Sequence, residues 1–199
     1  AATEYRFVVV DTYGGYSYVH KLEFEGEVLT SFSWSALMLS DSDSSDSIVD
    51  ALVTLMPSQI NEALEACVKN IKFEKGLSLL RRQGESNIEI DKSRVQLQLL
   101  ERNKETKATY LHGLVLEGGS TDFLDEVLML SPSLATDVLC ACIEGHQADK
   151  ALYFIKRQSE FKFNVSRIQA QLFGVVEEDT KGTGWQAFVA SAFSRPKAS

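Results

Sequence analysis

Cys140, Cys142 and His146 are the residues whose types point most directly to metal chemistry. Thiolate and imidazole are the usual zinc ligands, and zinc knuckles space their cysteines by two to four residues in turns. Here the spacing is Cys-x-Cys, and on a helix positions i and i+2 point to different sides. A related stretch of the chain keeps Cys67 but has Glu65 and Ile71 at the other two places. The expectation is small buried core residues and no bound metal. Asp41, Asp43 and Asp46, within the serine-rich run 40–47, resemble a calcium loop in composition. An EF-hand counted from Asp41 needs Gly at its sixth place and Glu at its twelfth. Asp46 and Leu52 stand there instead, so the run reads as a solvated linker that ends in a helix cap.

Phosphate and nucleophile chemistry lack their motifs as well. Gly182-Thr183-Gly184 and Gly118-Gly119-Ser120-Thr121 match neither phosphate-binding glycine spacing. No Gly-x-Ser-x-Gly occurs, and no cysteine has an evident base. His20, His112 and His146 are scattered, while Glu177-Glu178-Asp179 lies in a polar run near a turn. No catalytic, cofactor-binding or metal residue is assigned, and no small-molecule ligand is indicated.

Two surfaces remain as candidates for binding. Lys69, Lys72, Arg81 and Arg82 form a possible basic helix face for nucleic acid, although the related stretch has Glu144 and Gln147 in place of the first two. Aromatic residues cluster early in the chain. On an alternating sheet they mostly fill a core. Where exposed, Tyr13, Tyr16, Tyr18 and Trp34, with Trp185 from late in the chain, are the candidate interaction surface.

The elements that position these residues are disclosed by a repeat. Shifting the 199-residue chain by 75 aligns 46–85 with 121–160 without a gap, and 12 of 40 positions are identical. Among them are Asp50/Asp125, Pro57/Pro132, Cys67/Cys142, Lys75/Lys150, Arg82/Arg157 and Glu85/Glu160. Between these copies, shorter similarities recur threefold. Trp34–Met38 parallels Leu111–Val115 and Trp185–Val189, and Ser-Arg-x-Gln-x-Gln-Leu occurs at 93–99 and 166–172.

The duplicated piece has helical spacing, with Ile60, Leu64, Cys67 and Val68 matched by Ala135, Leu139, Cys142 and Ile143. It predicts helices ending at Leu55, over 58–70 and over 73–83, each with a counterpart 75 residues on. The threefold piece alternates apolar and polar residues, as in His20–Glu25 and Arg94–Leu99, which predicts strands. Three meanders are expected, at 4–39, 86–117 and 161–191. The resulting class is α+β, internally duplicated, in the order βββ-ααα-βββ-ααα-βββ. Its pieces are 1–84, 85–159 and 160–199, folded as one compact unit.

Composition bounds the function. A net charge of −8 argues against a dedicated nucleic-acid coat, which needs a basic face. Three cysteines do not make a disulfide framework. No apolar run reaches membrane-helix length, and Ala1–Arg6 lacks the features of a secretory signal. These features predict an intracellular, cytoplasmic protein, or part of a virion assembled there. The expected role is a non-enzymatic interaction, adaptor or assembly protein, cellular or viral, with a protein partner or a second copy of itself. The alternatives are a nucleic-acid-associated factor and an enzyme with a site between the repeats.

Overall fold

A computed structural model describes residues 6–13, 16–23, 38, 45–117, 121–178 and 189–193. The chain divides into two compact units, Ala1–Gln98 and Leu99–Ser199.

In the first unit, β1 (Arg6–Tyr13) and β2 (Tyr16–Glu23) pair antiparallel, from Arg6 opposite Glu23 to Tyr13 opposite Tyr16. Helix α1 spans Ser45–Leu55, a 3-10 turn Pro57–Gln59, α2 Ile60–Lys69 and α3 Phe73–Arg81. Helix α4, Lys92–Leu100, begins in this unit and ends past its boundary. The second unit holds α5 (Tyr110–Glu117), α6 (Asp122–Leu130) and a 3-10 turn (Pro132–Leu134). Helices α7 (Ala135–Glu144), α8 (Ala148–Ile155) and α9 (Val165–Glu178) follow. In the first unit α3 packs on α1 and α2; in the second, α7 packs on α5, α8 and α9.

The α+β expectation is overturned, because from residue 45 onward every described element is helical. The second meander, 86–117, is replaced by helices α4 and α5, and 165–178 of the third is α9. Among the described residues, strands are confined to the β1–β2 hairpin, with one isolated bridge between Arg102 and Thr109. The rest of the first meander, 24–37, lies outside the described residues, and residue 38 is helical.

The physical reason is local. Six alternating residues fit a strand, but Val95 and Leu99 are also one helical turn apart, and both are buried. What selects the helix is a cap. Asp91 Oδ1 accepts the Arg94 backbone N–H at 3.0 Å, satisfying one of the donors that every helix start leaves unpaired. Asn164 Oδ1 does the same for Arg167 at 3.1 Å, with Ile168 and Leu172 buried behind it. Thr109 Oγ1 accepts the His112 N–H at 3.1 Å and starts α5.

The 75-residue offset reappears in three dimensions. Met56 and Ser131 each precede a proline and are forced out of the helical region, with ψ of 60° and 84°, so α1 and α6 stop there. Ile71 and His146 both take positive φ, 57° and 52°. Each is the residue just past a helix end in a Schellman motif. Lys72 N–H then bonds Cys67 C=O, and Gln147 N–H bonds Cys142 C=O, each at 2.9 Å. These joints turn α2 into α3 and α7 into α8. Met38, Val115 and Val189, aligned in the threefold match, are all helical and fully buried.

Candidate functional site

In each unit the capped helix is tied to the long helix before it. Asp91 N–H donates to Asn61 Oδ1 at 2.8 Å, and Asn164 N–H donates to Thr136 Oγ1 at 2.9 Å. Asn61 and Thr136 are 75 residues apart. The arginine one turn into each helix reaches the same partner. Arg94 holds Glu62 at 3.2 Å and Glu65 at 2.8 Å, and Arg167 holds Asp137 at 2.9 Å. Burial tends to raise the Glu65 pKa, but Arg94 and Lys69 outweigh it and hold the carboxyl below its ordinary value.

A second tether closes each module. Arg82 pairs with Asp50 on α1 and with Glu85 beyond α3. Arg157 pairs with Asp125 on α6 at 2.5 Å and with Glu160 at 2.7 Å. All six residues are among the identities of the repeat. The second copy adds aromatic contacts to this clamp. Tyr153 Oη donates to Asp125 Oδ2 at 2.7 Å, and the Arg157 guanidinium lies over the Tyr153 and Phe161 rings at 5.5 and 5.1 Å. Buried Lys150 donates to the Val115 carbonyl in the last turn of α5, where a cation complements the helix dipole.

The metal-like trio does not converge. Cys142 is fully buried, and His146 is exposed at the α7–α8 joint. Among the described residues, no group of three or more His, Cys, Asp or Glu side chains can hold a metal ion. Burial pushes the Cys67 and Cys142 thiols up to about 12, and it raises Cys140 too, so all three are protonated and weakly nucleophilic at neutral pH.

The four basic candidates are not brought into one patch. Lys69 and Lys72 flank the α2–α3 joint, whereas Arg81 and Arg82 stand at the far end of α3, about 13 Å along a nine-residue helix. Lys69 pairs with Glu65 at 3.3 Å, Arg82 is held in its clamp, and Lys72 and Arg81 are engaged as well. Of the aromatic candidates, Tyr13 and Tyr16 are paired across the hairpin and Tyr18 lies opposite Asp11. Trp34 and Trp185 fall outside the described residues.

One open groove of about 840 Å³ lies in the first unit, bordered by Pro57, Asn61, Asn87, Glu89, Asp91 and Lys92. Its central amide is already used. Asn61 Nδ2 donates to the Glu89 carbonyl at 3.2 Å while its Oδ1 takes the Asp91 N–H. Exposed apolar side chains stand elsewhere: Leu97 is 74% exposed and Met129 70%.

The tethers escape a motif search because each is a structural bond rather than a catalytic one. Their signal was nonetheless present, since a charged residue identical in both copies must answer to something the copies share. Comparison with family models, curated proteins and solved structures gives no match.

Proposed function

We propose that this chain is a non-enzymatic protein-binding scaffold built from a repeated helical module. The observation that carries this reading is the pair of modules with equivalent tethers: clamp, capped helix and αL joint recur at fixed offsets. A repeated framework leaves its outward positions free to vary, and repeat proteins use such positions to bind other proteins. Leu97, Leu100, Leu116 and Met129 project from the helices and are available as contact points. The tyrosine-bearing hairpin at Tyr13, Tyr16 and Tyr18, with Trp34 and Trp185, is a further proposed contact region. A partner protein or a second copy is the proposed ligand. The proposed compartment is the cytoplasm, where buried free thiols such as Cys67 and Cys142 stay reduced. Among the described residues no helix is long and apolar enough to cross a membrane.

The test is a photo-crosslinking amino acid placed singly at Leu97, Leu116 and Met129 of the full chain in its own cells. Discrete protein adducts at one or more positions support the scaffold. Adducts removed by nuclease favour a nucleic-acid partner instead, and no adduct at any position counts against the reading.

A further inference from the structure

The acidic serine run 40–47 fits no calcium loop, and the scaffold reading gives it no task. Its serines are interleaved with Asp41, Asp43 and Asp46, and it ends at Ser47, three residues before Asp50. A serine with acid before it and a carboxylate three residues on is the pattern that acid-directed protein kinases read. Their basic substrate groove is complementary to it in charge.

The internal repeat singles out Ser47, the one serine of the run that lies inside the matched stretch 46–85. At the 75-residue offset Ser47 falls on Asp122, while Asp50, Arg82 and Glu85 fall on Asp125, Arg157 and Glu160. The second module thus carries a fixed negative charge where the first carries a hydroxyl, on a charged framework that is otherwise the same. Asp122 is exposed in the first turn of α6 and is engaged by its neighbours. The framework therefore accommodates an anion one helical turn before the clamped carboxylate.

Helix α1 gives a phosphate at this position a consequence. Ser47 is the third residue of α1, and the first four N–H groups of a helix have no acceptor within it. That turn opens at little cost to meet a kinase, and it favours negative charge once closed. One turn on, the Asp50 side chain is 66% exposed and is held by Arg82, which also holds Glu85. Phosphate next to an arginine makes strong charge-assisted hydrogen bonds. The buried Ile48 and Val49 anchor the same turn to the core.

We propose that Ser47 is the acceptor of an acid-directed serine kinase, and that its phosphate supplies in the first module the charge that Asp122 supplies permanently in the second. In the transfer, Ser47 Oγ bonds to the γ-phosphorus of a nucleoside triphosphate and the bond from that phosphorus to the bridging oxygen breaks. The nucleoside diphosphate leaves, and the hydroxyl proton passes to the base of the kinase. The new phosphate fixes the start of α1 to the Arg82 clamp. This modification does not depend on the scaffold reading.

The test incubates the full chain with casein kinase 2 and magnesium ATP and maps the sites by mass spectrometry. Phosphate on Ser47 is expected, and it should be absent from Ser47→Ala. No incorporation, or incorporation confined to other residues, overturns the proposal. Hydrogen exchange then separates a working modification from an incidental one. Amides of 48–55 should exchange about threefold more slowly in the phosphorylated chain than in the unmodified one. Ser47→Asp, which copies the second module, should give part of that gain. In Arg82→Gln the ratio between phosphorylated and unmodified chains should shrink towards one, a comparison made within the variant and so unaffected by the bonds that the substitution itself removes. Unchanged or faster exchange on phosphorylation, or a ratio that Arg82→Gln leaves intact, overturns the proposed role.

Discussion

Gln98 carries a buried amide in α4 that contributes nothing visible to the tether system. Its side chain is 6% exposed, and Nε2 has no acceptor. A buried donor left unpaired costs its full desolvation, so Gln98→Met, of similar length, should stabilise the protein by about 1–2 kcal/mol. An unchanged or lowered urea midpoint would refute this. Glu65 shows the opposite situation, a charge answered on two sides by Arg94 and Lys69. Its folded pKa lies below the ordinary 4.5, so the unfolded chain binds the proton more readily. The stabilisation is therefore present above about 4.5 and is lost as pH falls through the folded value. The gap in urea midpoint between wild type and Glu65→Gln should be present at neutral pH and shrink as acid carries the solution below 4.5 and through the lowered folded value. A gap that persists in acid would show that packing, not charge, is what Glu65 supplies.

At the scale of elements, short polar residues decide what apolar patterns leave open. The strand expectation for 94–99 came from alternation over six residues, a length at which helix and strand patterns overlap. Asp91 and Asn164, each three residues before the matched arginines, were the cap signal that breaks the tie. The long helices were legible because Pro57 and Pro132 marked their starts and buried residues at 60, 64, 67 and 68 repeat at 3.6-residue spacing. The joints were not legible, since isoleucine and histidine do not advertise positive φ as glycine does. Asp91→Ala should cost about 1 kcal/mol by removing the cap of α4, and Asn164→Ala a similar amount at α9. His146→Gly should gain about 1 kcal/mol, because the side chain is exposed and glycine takes φ of 52° without strain. Denaturant titrations decide each, and a destabilising His146→Gly would mean the imidazole makes a contact worth more than the strain.

For the molecule as a whole, the repeat proved more informative than composition. The candidate interaction residues named from composition, the early aromatics and the basic four, are respectively beyond the described side chains and already bonded. A charge that differs between copies, absent at Ser47 and present at Asp122, becomes visible only when the copies are compared. Because the clamps are confined within units, damage should stay local. Arg157→Ala should lower amide protection across 122–160 in hydrogen exchange while 45–81 keeps its own. Equal loss in both segments would show that the chain unfolds as a single cooperative body.

Equivalent tethers at 61 and 136, and again at 91 and 164, have a kinetic consequence. In a folding chain, each capped helix has a second groove of the same backbone bonding pattern to compete for it. Asn61 and Thr136 accept equivalent backbone N–H groups, those of Asp91 and Asn164, so that bond alone does not separate the right groove from the wrong one. The arginines do. Arg94 needs Glu62 and Glu65, whereas the second groove offers Asp137 and, in place of Glu65, the buried Cys140. A helix α4 lodged against α7 would satisfy its cap and forfeit one carboxylate. Copies that diverge at such a position limit exchange between repeats, a recognised hazard of multidomain and repeat chains. Divergence at residue 140 thus penalises one of the two exchanges, α4 in the second groove.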